Sequence, residues 1–506
     1  GRPGEPYTNE AVGAENYGTL AYIMESPLEK GVIWTGSDDG LVQLTRDGGA
    51  TWKNVTPKGL EECLINSIEV SPFDKATAYI ATTRYKFNDH RPGLYKTTDY
   101  GANWTKIDNG IPADSFTRVV REDDVRKDLL FAGTERGVYI SWDGGKNWSP
   151  FQLNLPNTPI TDLRVHQGNL IAATSGRAFW VLDDLSVLRQ YKAGANGPSI
   201  YQPTGAYLTN SGSELDDTDE DFDGTNRFRG VNPASGIVLY YNLPELKKMD
   251  NISLEIRDAE GNLVRTFSSK PDKSYRRWDG GPDSQPTLSK NKGLNRFVWD
   301  LRYPTAVGVP GVYIEASFAG HKAIPGKYSV TLIFGEQKVT ANAEILANPM
   351  YPTTAAQYKE YSQTMSAMEA ELNSMHKMVN DLYDKQKRLE AVLNSLPDDA
   401  KSKAVKTEGE ALLTKMKTWD NDMVQRKSKA YDDVENYPNK FTADYMFLIN
   451  QTESDIPRIN QPNLDLLKEM NAKWATLKAR GIELLEKDIP AMNKKLWDAG
   501  KGAVWE

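Results

Sequence analysis

Short apolar segments recur along the first two hundred residues, and polar turns separate them. "TLAYIMESP" (19–27), "INSIEVSP" (65–72), "FTRVVRED" (116–123) and "ITDLRVH" (160–166) each open a unit. A second apolar segment follows in every unit ("GVIWTGS", "ATAYIATT", "DLLFAGT", "NLIAATS"), then a third ("GLVQLT", "GLYKTT", "GVYISW", "AFWVLD"). Three units close on one turn, "TRDGGATW" (45–52), "TTDYGANW" (97–104) and "SWDGGKNW" (141–148). Four short strands per unit with turns between them predict a propeller blade. Asp47, Asp99 and Asp143 lie 52 and 44 residues apart, close to the ~40–50 of known blade repeats. The fourth unit ends "FWVLDDLS" without the turn and reads as a degenerate last repeat. Residues 1–210 are therefore expected to form about four propeller blades.

Within the repeated turn, Asp47, Asp99 and Asp143 can accept the backbone N–H groups of their own loop. Gly49, Gly101 and Gly145 supply a positive φ. Trp52, Trp104 and Trp148 are expected to lie flat between blades, each burying roughly 150–250 Å². Regular repetition of a self-satisfying corner assigns these residues to stability rather than catalysis.

The pattern changes further along. Residues 211–235 hold "SELDDTDEDFDGTNRFRG", an acidic linker poor in apolar residues. Asp219, Asp221 and Asp223, followed by Gly224, copy the first half of a calcium loop. Its twelfth position is Gly230 instead of the bidentate Glu, so a solvated loop is expected, with calcium as the alternative. Across 236–346, "GIVLYYNL", "ISLEIRDAEGNLVRTF", "GLNRFVWDLRYP" and "PGKYSVTLIFG" alternate as strands of a β-sandwich, with Trp299 and Tyr328 in its core. From 350 to 506 the period becomes helical. Tyr361, Met365, Met368, Leu372, Met375, Val379, Leu382, Leu389, Leu393 and Leu396 keep heptad spacing, broken at Gln386. Thr354 with Gln357 predicts a capping box. Two further apolar stripes, Val405–Met423 and Leu467–Leu484, complete an antiparallel bundle of three helices, and Pro490 breaks or kinks the last. The methionines favour a core seam over a docking groove, and His376 has no second His at metal-binding spacing.

Lys+Arg 61 against Asp+Glu 69 gives a net charge of -8, which argues against a general nucleic-acid binder. No apolar run reaches the ~18–20 residues of a membrane span. The only cysteine, Cys63, excludes an internal disulfide framework.

The motif S/T-x-D-x-G-x-x-W resembles the Asp-box (BNR) repeat of sialidases, sortilins and two-propeller xyloglucan-processing glycosidases. The stretches from Tyr17 to Trp52 and from Ile65 to Gly101, with "GRAFWVLDDL", look like the later blades of large bacterial sortilin-like Asp-box proteins, which often carry a glycosyl hydrolase label. The resemblance runs on through the sandwich, which is similar to an immunoglobulin-like domain, and through the helices. It implies a secreted, periplasmic or cell-surface protein, and an N-terminal half or second chain that completes the propeller. It also implies a ligand face built by the loops entering the first strand and those joining the second and third. Those loops carry Asp38, Asp39, Arg84, Tyr85, Asp89, His90, Arg91, Glu135, Arg136 and Arg177, to which Tyr17, Asn66 and Asp114 are added.

Two functions follow as expectations. One is an interaction or scaffold module whose propeller binds an extracellular peptide or glycan through Tyr17, Arg84, Tyr85, His90, Arg91, Arg136 and Arg177. The other is a glycoside hydrolase, with Asp38 or Asp39 paired with Glu135 across a glycosidic bond at about 5–5.5 or 6.5–9.5 Å. The Phe-Arg-Ile-Pro motif of sialidases is absent.

Overall fold

Strands β1 (Leu20–Glu25), β2 (Ile33–Ser37), β3 (Val42–Thr45) and β4 (Lys53–Asn54) form an antiparallel meander in chain order. The same meander is repeated by β5 (Leu64–Val70), β6 (Ala78–Arg84), β7 (Asp89–Thr97) and β8 (Thr105–Lys106). It appears again in β9 (Thr117–Glu122), β10 (Leu130–Thr134), β11 (Val138–Ser141) and β12 (Ser149–Pro150). The fourth sheet has three strands, β13 (Ile160–His166), β14 (Asn169–Thr174) and β15 (Phe179–Leu182), and a short helix α1 (Ser186–Gln190) follows it in place of a fourth. The computed structural model describes residues 18–192, 197–209, 212–216, 231–247, 249–453 and 457–500. The chain divides into two compact units, whose described parts are 18–192 and 197–500.

In the first unit β1 lies beside β5, β5 beside β9 and β9 beside β13. First strands side by side, with the later strands fanning outward, are the arrangement of propeller sheets. Three apolar clusters fill the three interfaces between consecutive sheets. Trp34, Val42 and Val55 meet Ile65, Ile68 and Ile80. Tyr79, Leu94 and Ile107 meet Val120, Leu130 and Trp148. Phe131, Val138 and Ile140 meet Ile160, Leu163 and Leu170.

The repeated corner closes as its sequence demands. Asp143 Oδ1 accepts from the Ser141 hydroxyl (2.8 Å) and the Asn147 N–H (2.9 Å), and Gly145 N–H donates to Ser141 Oγ (2.9 Å). Asp99 and Asp47 repeat this pattern with Thr97 and Asn103, and with Thr45 and Thr51. The Thr51 hydroxyl and N–H hold the Asp47 carboxyl down at about 2. Partial burial pushes Asp143 upward, yet the donors of Asn147 and Ser141 outweigh it and its value falls.

The indoles do not behave alike. Trp148 Nε1–H donates to the Ile107 carbonyl (2.5 Å) and Trp104 Nε1–H to the Val55 carbonyl (2.7 Å), so each caps the sheet before its own. A Cβ on Gly101 would come within 2.7 Å of Val55, which makes a glycine necessary for the docking as well as for the turn. Trp52 is 46% exposed, against 4% for Trp148, which corrects the expectation of three buried indoles. Its sheet is the first one described, and no earlier sheet among the described residues offers it a carbonyl.

In the second unit β16 (Ser199–Ile200) pairs with β18 (Ile237–Leu243), and β18 with β21 (Gly293–Trp299); β17 (Ala206–Tyr207) runs parallel to β23 (Gln337–Leu346). The larger sheet continues through β22 (Gly326–Phe334), β19 (Ile252–Arg257) and β20 (Leu263–Ser268). Residues 199–207 thus belong to these sheets, although the repeat region was expected to extend to 210. One core joins both sheets through Leu239, Tyr241, Leu254, Ile256, Trp299 and Val330.

Helix α2 (Ala355–Asn394) begins at the predicted capping box, with Thr354 and Gln357 exchanging bonds. α3 (Ala400–Met423), α4 (Phe441–Thr452), α5 (Gln461–Glu483) and α6 (Ile489–Asp498) follow. A single π-helical turn, Leu484–Asp488, joins α5 to α6 and lets Pro490 sit at the start of the last helix. Met365, Met368 and Met375 are fully buried in the seam. The same core takes in Val309, Val312, Ile314 and Phe318 from the loop between β21 and β22.

Candidate functional site

The loop joining β6 to β7 is carried on strands of 7 and 9 residues, longer than their counterparts in the other three sheets. Arg84 anchors its base, pairing with Asp89 (2.8 Å) and with Glu61, while its Nε–H donates to the Glu62 carbonyl (3.1 Å). Arg91 grips Asp89 as a fork, at 2.9 and 2.7 Å. That fork holds the Asp89 carboxyl well below its ordinary range and raises the Arg91 guanidinium. Between the anchors, Tyr85–Phe87 makes one 3-10 turn closed by Asn88 in the left-handed region. Tyr85 stacks on Phe116 at 5.6 Å and His90 tilts toward the same ring at 5.9 Å. Arg118 lies over the Phe116 ring at 5.2 Å and pairs with Glu135 (2.7 Å). Tyr85, Phe87, His90 and Arg91 stay exposed.

The structure therefore brings Arg84, Tyr85, Asp89, His90 and Arg91 together, with Glu135 beside them through Arg118. Arg136 pairs with Asp114 at 2.8 Å. Asn66 donates to the Thr83 hydroxyl and the Thr117 carbonyl, which makes it a strut between sheets. Asp38 accepts the N–H groups of Gly18 (2.8 Å) and Thr19 (2.9 Å), and Asp39 accepts the Ser37 hydroxyl. Arg177 sits in the β14–β15 turn, where its N–H donates to Thr174 and its carbonyl accepts from Trp180. Tyr17 lies outside the described residues, as do Asp219, Asp221 and Asp223. Among the described residues no group of three His, Cys, Asp or Glu is placed to hold a metal ion.

A second polar cluster was not foreseen. Arg121 on β9 is 4% exposed, and its guanidinium reaches three neighbouring first strands. It donates to the Leu163 carbonyl (2.8 Å) and the Tyr22 hydroxyl (2.9 Å), and pairs with Asp162 (2.6 Å) and Glu69 (3.6 Å). Burial lifts the Glu69 carboxyl to about 7, although Arg121 pulls the other way. Every Arg121 donor group is engaged, so the cluster works as an axial staple. Its signal in the sequence is a charged residue at one register position of successive first strands, Glu69, Arg121 and Arg164, opposite Tyr79, Phe131 and Ile171.

Both end sheets of the four-sheet array expose apolar residues at positions that the inner interfaces bury. Register places Leu20 where Ile65 and Ile160 stand in later sheets, opposite Ser37, Thr82 and Thr174. Ile65 and Ile160 are buried, whereas Leu20 is 62% exposed. At the other end Phe179 occupies the place of Leu94 and Val138, and it is 77% exposed.

Repeated antiparallel meanders with their first strands adjacent define a propeller-type array. No family model matches the chain, and no curated protein matches it. Among solved structures, YCF48 from Cyanidioschyzon merolae is 17% identical with a TM-score of 0.26, covering 47% of this chain and 70% of that one. YCF48 bound to D1 peptide is 15% identical, with a TM-score of 0.27 over 64% of this chain and 81% of that one. The GH74 xyloglucanase from Xanthomonas campestris is 12% identical, with a TM-score of 0.27 over 65% and 45%. Among the described residues no helix is long and apolar enough to cross a membrane.

Proposed function

We propose that this chain is an interaction module of an extracytoplasmic, sortilin-like Asp-box protein. Four blades present a ligand face, and an immunoglobulin-like sandwich and helices form an accessory half. The reading rests on the β6–β7 loop, where a rigid base of paired Arg84, Asp89 and Arg91 carries two exposed aromatics, Tyr85 against Phe116 and Phe87 under Arg84. Exposed aromatics on a fixed turn suit a peptide side chain or the apolar face of a sugar. The exposed Leu20, Trp52 and Phe179 support further sheets, from an N-terminal half or a second chain, completing the ring.

The hydrolase reading draws less support. Asp38 accepts the N–H groups of Gly18 and Thr19, Asp39 accepts the Ser37 hydroxyl and Glu135 pairs with Arg118, so each carboxylate already has a partner in the chain. Binding of the full chain to peptide and glycan arrays tests the proposal. The Tyr85→Ala/Phe87→Ala variant is expected to lose roughly tenfold or more in affinity with an unchanged melting temperature. Undiminished binding would exclude the loop. Turnover of a chromogenic glycoside that vanishes in Glu135→Ala would replace binding by hydrolysis.

A further inference from the structure

Two long segments of the second unit, 269–292 and 300–325, contain neither a helix nor an extended strand, yet they are fixed to each other. Long ordered loops on a rigid support are common carriers of function. Trp278 Nε1–H donates to the Val312 carbonyl (3.0 Å), and Ile314 N–H to the Gly280 carbonyl (3.2 Å). A Cβ on Gly308 would fall within 2.6 Å of Pro282 and 2.7 Å of Trp278, so the segments touch where only glycine fits. Helix α2 holds the floor from beneath. Asn373 accepts the Val307 N–H (2.7 Å), His376 Nδ1 bonds the Val307 carbonyl, and Asn380 donates to the Gly308 carbonyl (3.0 Å).

Between the segments lies a cleft of about 580 Å³, within the size range of small-ligand sites. Its groups are set in advance. Tyr275 lines the cleft with its hydroxyl fixed to the Pro282 carbonyl (3.0 Å), which sets the ring in place. Gln285 accepts from Arg265 (2.9 Å), a guanidinium 5% exposed and paired with Asp300. The carboxamide is thereby turned so that its NH2 is free to donate. Among the described residues the side chains of Asp283 and Ser284 have no hydrogen-bond partner. Asp272 is engaged by the N–H and hydroxyl of Ser274.

We propose that this cleft binds a neutral saccharide. No Lys, Arg or His lines it, which disfavours anions, and a single unengaged carboxylate is a poor match for a run of cations. A fixed ring and proline faces suit the C–H face of a sugar. A carboxylate, a hydroxyl and an oriented carboxamide suit its hydroxyl groups.

The full chain is titrated with gluco-, xylo- and manno-oligosaccharides by saturation-transfer NMR, and with a lysine-rich peptide in a parallel arm. One neutral oligosaccharide is expected to bind. Its affinity should fall roughly tenfold in Asp283→Ala and in Tyr275→Ala, and less in Tyr275→Phe, which keeps the ring and loses only its tether. Asp283→Ala is an exposed change that leaves the fold untouched, so it decides the matter if Tyr275→Ala loosens the loop. The proposal fails if no neutral saccharide binds at millimolar concentration, if only the peptide binds, or if binding survives Asp283→Ala. It also fails if the saccharide is lost instead in Tyr85→Ala/Phe87→Ala, which would assign it to the first unit.

Discussion

The two units solve the same problem, satisfying polar groups around an apolar core, over very different distances along the chain. In the first unit each corner carboxylate finds its donors within four residues, and one interface recurs between successive sheets. In the second, irregular loops are tied to helices by contacts of long range. Arg302 meets Glu453 across 151 residues, Val307 meets Asn373 across 66 and His321 meets Glu369 across 48. Repetition makes the first unit tolerant of one lost corner but dependent on each buried staple between sheets. The second unit has no repeat to fall back on.

The largest expected effect tests the staple. Trp148→Ala removes a buried indole, its bond to Ile107 and the packing between the second and third sheets. A cost of about 3–5 kcal/mol is expected from urea unfolding followed by circular dichroism. A loss below about 1 kcal/mol would mean that the sheets are held by their first strands alone.

The next effect separates the units by pH. Burial lowers His376 from 6.5 to about 4, so its contribution is complete above pH 6.5 and is lost as pH falls toward 4. Glu69 is raised from 4.5 to about 7, so its contribution is complete below pH 4.5 and is lost as pH rises through 7. Each shift corresponds to up to about 3 kcal/mol. Asp47, near 2, remains ionised across this window and adds no slope. Between pH 4.5 and 6.5, raising the pH should weaken the first unit and strengthen the second. Urea midpoints at several pH values would show this, with Glu69→Gln and His376→Asn each flattening one slope. Slopes of the same sign in both variants would contradict the opposed burial of the two groups.

That contrast also explains what could be read from the residues alone. The repeated corners, the strand order and the Thr354–Gln357 cap were legible because each is written in a few adjacent positions. Helix α4 was not. Phe441, Tyr445, Met446, Leu448 and Ile449 lie buried on one face, but the helix has only 12 residues and an exposed Phe447 on the opposite face blurs so short a stripe. The loop site was half legible: its charged and aromatic residues were expected together, but their pairing was not. Asp89 serves two arginines, and Glu135 turns to Arg118, a strand residue outside the expected set. Which charge neutralises which depends on loop packing that neither spacing nor composition records.

The smallest effect is the most discriminating. Trp52 has the same place in its turn as Trp148, yet it meets no carbonyl of a preceding sheet, so Trp52→Ala should change the stability of this chain by less than about 1 kcal/mol. The difference between the two substitutions isolates the sheet-to-sheet contact, because the local corner is otherwise the same. If a copy of residues 62–109 is joined ahead of residue 18 as an additional sheet, its Ile107 carbonyl becomes the acceptor that Trp52 lacks. Trp52 should then resist N-bromosuccinimide oxidation, and its replacement by alanine should approach the cost of Trp148→Ala. If Trp52→Ala were already costly in the chain alone, the indole would be working inside its own sheet, and the exposed flank would no longer call for a neighbour.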